Sequence, residues 1–365
     1  MIPCNDSKRL FQKYQSEFEN AALDVLRSGR YVLGDKVSLF EQEFANSIGT
    51  KYCVGVDNGT NAIKLGFQAL GIGKGDEVLV QANTYIATVL GITANGAKPV
   101  FVEQNSWFNM DENDVEHRIT KKTKAIIVTH LYGQATKMDK IMSICKKHNL
   151  YLLEDCAQAH YAQYDHKNVG TFGILSFFSF YPTKNIGAFG DAGAILTNDE
   201  KLFKKITMLR NYGSRIRYDF ELENGHNSRL DEIQAALLLV KLKHAKEITE
   251  EKCHIATEYL SKIDNSLVKL PALDSNCTSV WHLFVLEVDN RDKFIKHMFE
   301  HGVLVDIHYP TPPYLSKCYQ GLNYTKDHYP RTSLRSEHIV DLPIFNGMTD
   351  QEISRVIEAV NSYGK

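Results

Sequence analysis

The stretch KAIIVTHLYGQATKMDKIMSICKKHNLYLLED, residues 124–155, decides the fold class. Its first six residues are a continuous apolar run after the lysine, which suits a strand covered on both faces. Met138 to His148 then carries apolar residues at helical spacing, and Leu150 to Leu153 is a second apolar run. Strand, helix and strand in so short a span make a βαβ unit.

The rhythm extends in both directions. Upstream, residues 16 to 28 and Ser38 to Ile48 are expected as helices, the second stopped by Gly49. Lys51 to Val56 is a short strand, and Asn58 opens a helix carrying Ile63, Phe67 and Leu70 on one face. Glu77 to Val80, Tyr85 to Ala94 and Lys98 to Val102 continue as strand, helix and strand. Downstream, Ile174 to Phe180 and Ala194 to Leu196 are strands around a glycine-rich loop. The fold class is α/β with a mostly parallel central sheet. Arg229 to Ile248 is expected as one long helix. Beyond it come a strand at Val280 to Val288, a helix at Arg291 to His301, a proline-rich stretch from Tyr309 to Pro313, and a last helix from about Thr349. The expected division is a large domain over 1–240 and a smaller α+β domain over 241–365.

Bulk composition excludes several classes. The chain has 365 residues, 42 Lys+Arg against 44 Asp+Glu, and a net charge of -2. That near-neutral balance gives no footprint for a nucleic-acid polymer. The start, Met1 to Leu10, has no signal-like apolar core, and no run reaches the roughly 20 apolar residues of a membrane helix. A cytoplasmic location is the expectation. Seven cysteines, at 4, 53, 145, 156, 253, 277 and 318, stand singly with no C-x-x-C pair. Neither a disulfide framework nor a metal site is expected from them.

Ligands of open α/β sheets sit beyond the carboxyl ends of strands. Three places there stand out. Asn58-Gly59-Thr60 turns from a strand into a helix, either as an anion site or as an ordinary cap. Glu154-Asp155-Cys-Ala-Gln158 puts acids at the end of a buried strand, either as loop acids or as a carboxylate for a cationic cofactor nitrogen. SFFSFYPTKNIGAFGDAG, residues 176–193, sets Lys184 among aromatic residues. An apolar setting disfavours its charged form and makes its amine nucleophilic, unless it snorkels to the surface. Together a lysine, an acid and a phosphate cradle fit pyridoxal phosphate.

The chain resembles the DegT/DnrJ/EryC1/StrS sugar aminotransferases, within the fold-type I enzymes that use pyridoxal phosphate. The resemblance is carried by GRYVLGDKVSLFEQEFA (29–45), DNGTNAI (57–63), ANTYIAT (82–88) and HLYGQ (130–134). It continues through LLEDCAQAH (152–160), SFFSFYPTKNIGAFGDAGAILTND (176–199), NSRLDEIQAA (227–236) and HYPTPPYL (308–315). It implies a large domain with a central sheet plus a small C-terminal domain. It implies Lys184 as the catalytic, cofactor-bearing lysine and Asp155 on the pyridine nitrogen. Gln158 would meet the phenolic oxygen and Tyr85 the ring face. Gly59, Thr60 and Ser179 would hold the phosphate, with Asn227 reaching it from the neighbouring subunit of a homodimer.

The resemblance further implies transfer of the amine of L-glutamate to a nucleotide-linked ketosugar. The HYPTPPYL string is similar to that of members acting on dTDP-linked 3-keto-6-deoxyhexoses, whose products feed O-antigens and S-layers. His308 and Tyr309 are then candidates for substrate binding, or for bracing the turn. Amination at C4 of a dTDP- or UDP-linked sugar, and a pyridoxal phosphate-binding regulator, stay as alternatives. A dehydratase would carry histidine at 184, where this chain has lysine. A dinucleotide enzyme would need G-x-G-x-x-G after a strand; Gly71-Ile-Gly73-Lys-Gly75 precedes one. Two positions depart from the family pattern. Tyr161 stands where glycine is usual, either narrowing the pocket or pointing outward, and Asn61 stands where Asp is frequent.

Overall fold

The computed structural model describes residues 1–365. Seven strands build the central sheet: β1 (Tyr52–Val56), β2 (Glu77–Gln81), β3 (Lys98–Val102), β4 (Thr123–Thr129), β5 (Tyr151–Asp155), β6 (Leu175–Ser179) and β7 (Gly193–Thr197). Their spatial order is β1-β7-β6-β5-β4-β2-β3. β2 to β6 pair in parallel, and β7 runs antiparallel to both neighbours.

The apolar run that signalled a doubly covered strand is one. In β4, Ile126 and Val128 join one buried core while Ala125 and Ile127 join the other. The period-2 alternation of a strand sends successive side chains to opposite faces. Helices Asp35–Ile48 and Asp139–His148 cover the first face, and Gly59–Leu70 and Ile86–Thr93 cover the second. Gly66 and Gly91 let the latter pair pack closely. A Cβ at 66 would lie 2.3 Å from the Phe177 ring, and one at 91 would lie 2.4 Å from Ile63.

A second, smaller sheet holds β8 (Val268–Lys269), β9 (Phe284–Val288) and β10 (Ile339–Leu342), all antiparallel. Helices Ala245–Lys262, Arg291–Glu300 and Asp350–Ser362 pack on it around a third core that includes Tyr259, Phe284, Phe294 and Val356.

Several elements differ from the sequence expectation. The long helix over 229–248 is two helices, Glu232–Lys243 and Ala245–Lys262, broken at His244 (φ -105, ψ 10). Contacts made across the fold hold that break. The His244 ring stacks on Tyr14 at 4.0 Å and its Nε2 meets Glu17 at 2.9 Å. The polar N-terminal stretch contains a helix, Ser7–Lys13, capped by Asp6 and tied to Glu352 through Arg9. The strand expected from Val280 starts only at Phe284, because residues 280–283 turn toward the central sheet, with Trp281 at φ 49. Helices Glu200–Leu209 and Pro330–His338 carry no assignment from sequence.

Glu232 is a buried carboxylate that caps another helix. It accepts the amides of Gly34 at 2.8 Å, Lys36 at 2.5 Å and Val37 at 3.2 Å, at the start of Asp35–Ile48. Negative charge on those orphan N–H groups and the helix dipole is stabilising. Glu232→Ala leaves them without an acceptor inside the protein. It is expected to cost about 1.5–3 kcal/mol, the range for hydrogen bonds to a charged group. The apparent thermal midpoint should fall by several degrees; an unchanged midpoint contradicts this role.

Candidate active site

One cavity of about 540 Å³ opens at the carboxyl edge of the central sheet. Nine of the ten residues singled out from sequence line it: Gly59, Thr60, Tyr85, Asp155, Gln158, Ser179, Lys184, His308 and Tyr309. Asn227 does not. It is exposed, and its backbone bridges to Asn211.

The phosphate-cradle candidate is built by close backbone approach. Helix Gly59–Leu70 begins directly after Asn58, whose side chain accepts the Asn61 amide at 2.8 Å. The Gly59 and Thr60 amides face forward at the positive end of this helix. A Cβ at Gly59 would sit 2.8 Å from that of Ser179, and one at Gly193 would sit 2.5 Å from the Asn58 carbonyl carbon. Only glycine fits at either place. Asp57, next to Asn58, has both oxygens occupied, by Ser228 and by Asn61. Asn61, one of the two departures, therefore serves to quiet a carboxylate beside the cradle. Amides and hydroxyls at a helix N-terminus suit a phosphate monoester.

Asp155 ends β5 and is buried. Burial pushes its carboxyl up from the ordinary range. The Thr88 hydroxyl, the Ala157 amide and the charge of Lys184 oppose that rise. Thr88 Oγ1 donates to Oδ2 at 2.6 Å, and the Ala157 amide to Oδ1 at 3.1 Å. Behind Thr88, hydroxyl contacts run through Thr84 at 2.7 Å to Thr129 at 2.8 Å. Sequence reading missed this chain of hydroxyls. Its signal was the i, i+4 spacing of Thr84 and Thr88 where a helix begins.

Lys184 is half-buried by exposed area and lines the cavity. Burial pulls its amine down to about 8, against the attraction of Asp155. Part of the population is thus a free base near neutral pH. Lys252 lies behind it. The Lys252 Nζ donates to Asn185 Oδ1 and to the His282 carbonyl, both at 3.1 Å, bracing the residue that follows Lys184.

Gln158 is orientated by its neighbours. Its Oε1 accepts the Tyr132 amide at 2.6 Å, and its Nε2 donates to Tyr309 Oη at 3.1 Å. Tyr85 is 48% exposed, and its ring lies 4.9 Å from that of Tyr309. His282 also lines the cavity, without any sequence signal. Tyr161 does not narrow the pocket. It takes φ 69, the region that favours glycine, and its hydroxyl meets Ser47 at 3.1 Å. The acids beside the site include Glu154, close to His130 and Cys156. Glu154 already accepts amides from Gly170, Phe172 and Gly173 at 2.7–2.8 Å and contacts His130, so it is a structural acceptor.

The sequence profile of the DegT/DnrJ/EryC1/StrS aminotransferase family matches residues 12–361. The chain belongs to this family. It is 46% identical to a dTDP-3-amino-3,6-dideoxy-alpha-D-galactopyranose transaminase of Aneurinibacillus thermoaerophilus, over all of both chains. It is 39% identical to a dTDP-3-amino-3,4,6-trideoxy-alpha-D-glucose transaminase of Streptomyces venezuelae, covering 100% of this chain and 96% of that one. The crystal structure of S. venezuelae DesV in complex with ketimine intermediate superposes with a TM-score of 0.96 at 40% identity, over 99% of this chain and 97% of that one. The protein is a sugar aminotransferase with the fold-type I architecture, and its cofactor is pyridoxal phosphate. The cavity fits that cofactor: a glycine-walled cradle for the phosphate, a buried acid, and a desolvated lysine.

Thr88→Val keeps the shape and removes the hydroxyl that opposes the rise of Asp155. A carboxyl whose pKa rises binds its proton at higher pH. The acid limb of the pH–activity profile should therefore move to higher pH. A limb that stays in place would separate Thr88 from the ionisation of Asp155.

Proposed function

We propose that this enzyme transfers the amine of L-glutamate to C3 of a dTDP-linked 3-keto-6-deoxyhexose. The product would be a dTDP-3-amino-3,6-dideoxyhexose for surface glycans such as O-antigens or S-layers. The observation that carries the substrate is the relative that is 46% identical end to end, whose name places an amine at C3 of a dTDP-linked 3,6-dideoxygalactose. The relative at 39% is likewise named for a dTDP-linked 3-amino sugar.

The residue roles are those the family resemblance implies, and the chemistry of the cavity supports them. Pyridoxal phosphate, when bound, supplies an electron sink that lets an amine pass between two carbonyl carbons. Gly59, Thr60 and Ser179 hold the phosphate end. Asp155 pairs with the pyridine nitrogen and keeps a proton there, with Thr88 and the Ala157 amide holding the carboxylate charged. Gln158, whose carbonyl oxygen is occupied by the Tyr132 amide, would offer its remaining amide N–H to the phenolic oxygen. Tyr85 offers its ring as a stacking face. Lys184 Nζ binds the cofactor, takes the proton from the donor's α-carbon and returns one to the sugar carbon in the second half-reaction. His308 and Tyr309 bind substrate, with Tyr309 beside Gln158 and Tyr85. Asn227 reaches the phosphate of a neighbouring subunit, so two chains share two sites as a homodimer.

The test mixes L-glutamate, the holoenzyme and dTDP-linked 3-keto or 4-keto 6-deoxyhexoses, and locates the new amine by NMR. Amine at C3 is expected, and amine at C4 alone overturns the substrate assignment. Lys184→Ala should lower turnover by about 10⁴-fold, the upper end for losing a positioned acid–base group. Retained turnover in that variant contradicts the role of Lys184.

A further inference from the structure

Asp341 lies on β10 in the smaller sheet, outside the cavity, and is 2% exposed. Its Oδ2 takes the Nδ1 side of the His308 ring, while its Oδ1 has no partner. The backbone reinforces this approach. Asp341 N donates to the Asp306 carbonyl at 2.9 Å, and Asp306 N to the Asp341 carbonyl at 3.3 Å. The segment carrying His308 is thus pinned along the edge of β10. From the other side, Tyr132 Oη donates to the His308 carbonyl and Gln158 holds Tyr309. A buried carboxylate with one oxygen unpaired is costly unless a cation meets the other.

The part of the cavity that one chain builds is poor in cations. Its lining contains Lys184, His282 and His308, and no arginine. His282 is driven well below its ordinary value by burial and by the charges of Lys184 and Lys252. Lys184 is committed to the reaction. Yet both substrates of the proposed reaction are anions, one with carboxylates and one with a diphosphate. With Asp341 on Nδ1, the His308 Nε2 is the ring donor left free.

We propose that Asp341 is a positioning residue that holds His308 as a charged donor, ready for a carboxylate or phosphate of the substrates. The inference rests on the proposed function for the identity of those anions. Burial alone would push His308 down, and Lys184 adds to that. The bond to Asp341 and the charges of Asp341 and Asp306 outweigh both, and the net direction is up. Burial raises Asp341 to about 6, and the bond and charge of His308 oppose that rise. Tyr132 and Tyr309 face the pair as neutral phenols, pushed up by burial, and Cys4 faces Asp341 as a neutral thiol. The sign is then fixed. A cation whose pKa is raised is present below that pKa and lost as pH rises through it.

The test uses holoenzyme, with 2-oxoglutarate as the carboxylate probe and dTDP as the diphosphate probe. Binding of each is measured by calorimetry between pH 6 and 9. Asp341→Asn keeps the shape and an acceptor for Nδ1 but removes the charge, so the half-buried ring loses its proton at lower pH. At pH 7.5 the probe that meets His308 should bind about tenfold more weakly to the variant, the difference between a charged and a neutral hydrogen bond. The gap should close toward pH 9, where the ring is neutral in both proteins. The probe that weakens names the anion. Affinities within twofold for both probes at pH 7.5, or an equal loss at every pH, overturn the proposal. If the variant does not fold, an NMR titration of wild-type His308, assigned with His308→Gln, decides the matter. A midpoint above the ordinary 6.5 supports the proposal, and one at or below it overturns the proposal. Neither readout needs turnover, so failure to aminate the C3 ketone would sink the substrate assignment alone.

Discussion

The structure turns on the enclosure of Lys184 and Asp155 in one cavity at the carboxyl edge of the sheet. Away from bulk water each group is biased toward its neutral form, the lysine downward and the acid upward. Each also opposes the bias of the other through its charge. An amine near neutrality and a carboxylate propped up by hydroxyls and an amide are what transamination asks of one site. The polar supports are the threonines at 84, 88 and 129, drawn from β4 and from the loop and helix after β2. The parallel sheet thus does more than carry loops. It brings three strand ends into register so that one acid can stay charged in a dry place.

The smaller sheet completes the site from the other side. Residues 280–283, just before β9, place His282 at the cavity wall, where its carbonyl holds Lys252. The 306–309 segment is clamped between Asp341 of β10 and the Tyr132–Gln158 pair of the large unit. Neither sheet alone encloses the cavity. Hydrogen bonds between the two fix its geometry, which accounts for buried polar and charged residues where a core would otherwise be apolar.

The fold was legible where local signals and tertiary structure agree. The apolar run of β4, the Asn58 cap and the glycines beside Ser179 are readable because hydrophobic period and backbone sterics set them locally. The break at His244 was not readable, since it depends on Tyr14 and Glu17 more than 200 residues away. The helix at Ser7–Lys13 is short and polar, and Arg9 anchors it to Glu352 at the far end of the chain. Nine site residues came from sequence through motif and resemblance. Asp341, His282 and the threonines did not, because their roles arise from contacts across elements and leave no spacing to read. Tyr161 is the reverse case. The departure was visible, but its φ 69 and its bond to Ser47 show a residue tolerated at a glycine position, outside the pocket.

The central claim is that Lys184, of the buried lysines in this chain, carries the cofactor. Lys241 and Lys252 are also buried, and burial pulls their amines down as well, to about 8 and about 7. Borohydride reduction of the holoenzyme, followed by proteolysis and mass spectrometry, fixes the cofactor to the amine that holds it. The adduct is expected on the peptide containing Lys184. An adduct on Lys241 or Lys252, with Lys184 unmodified, would contradict the account.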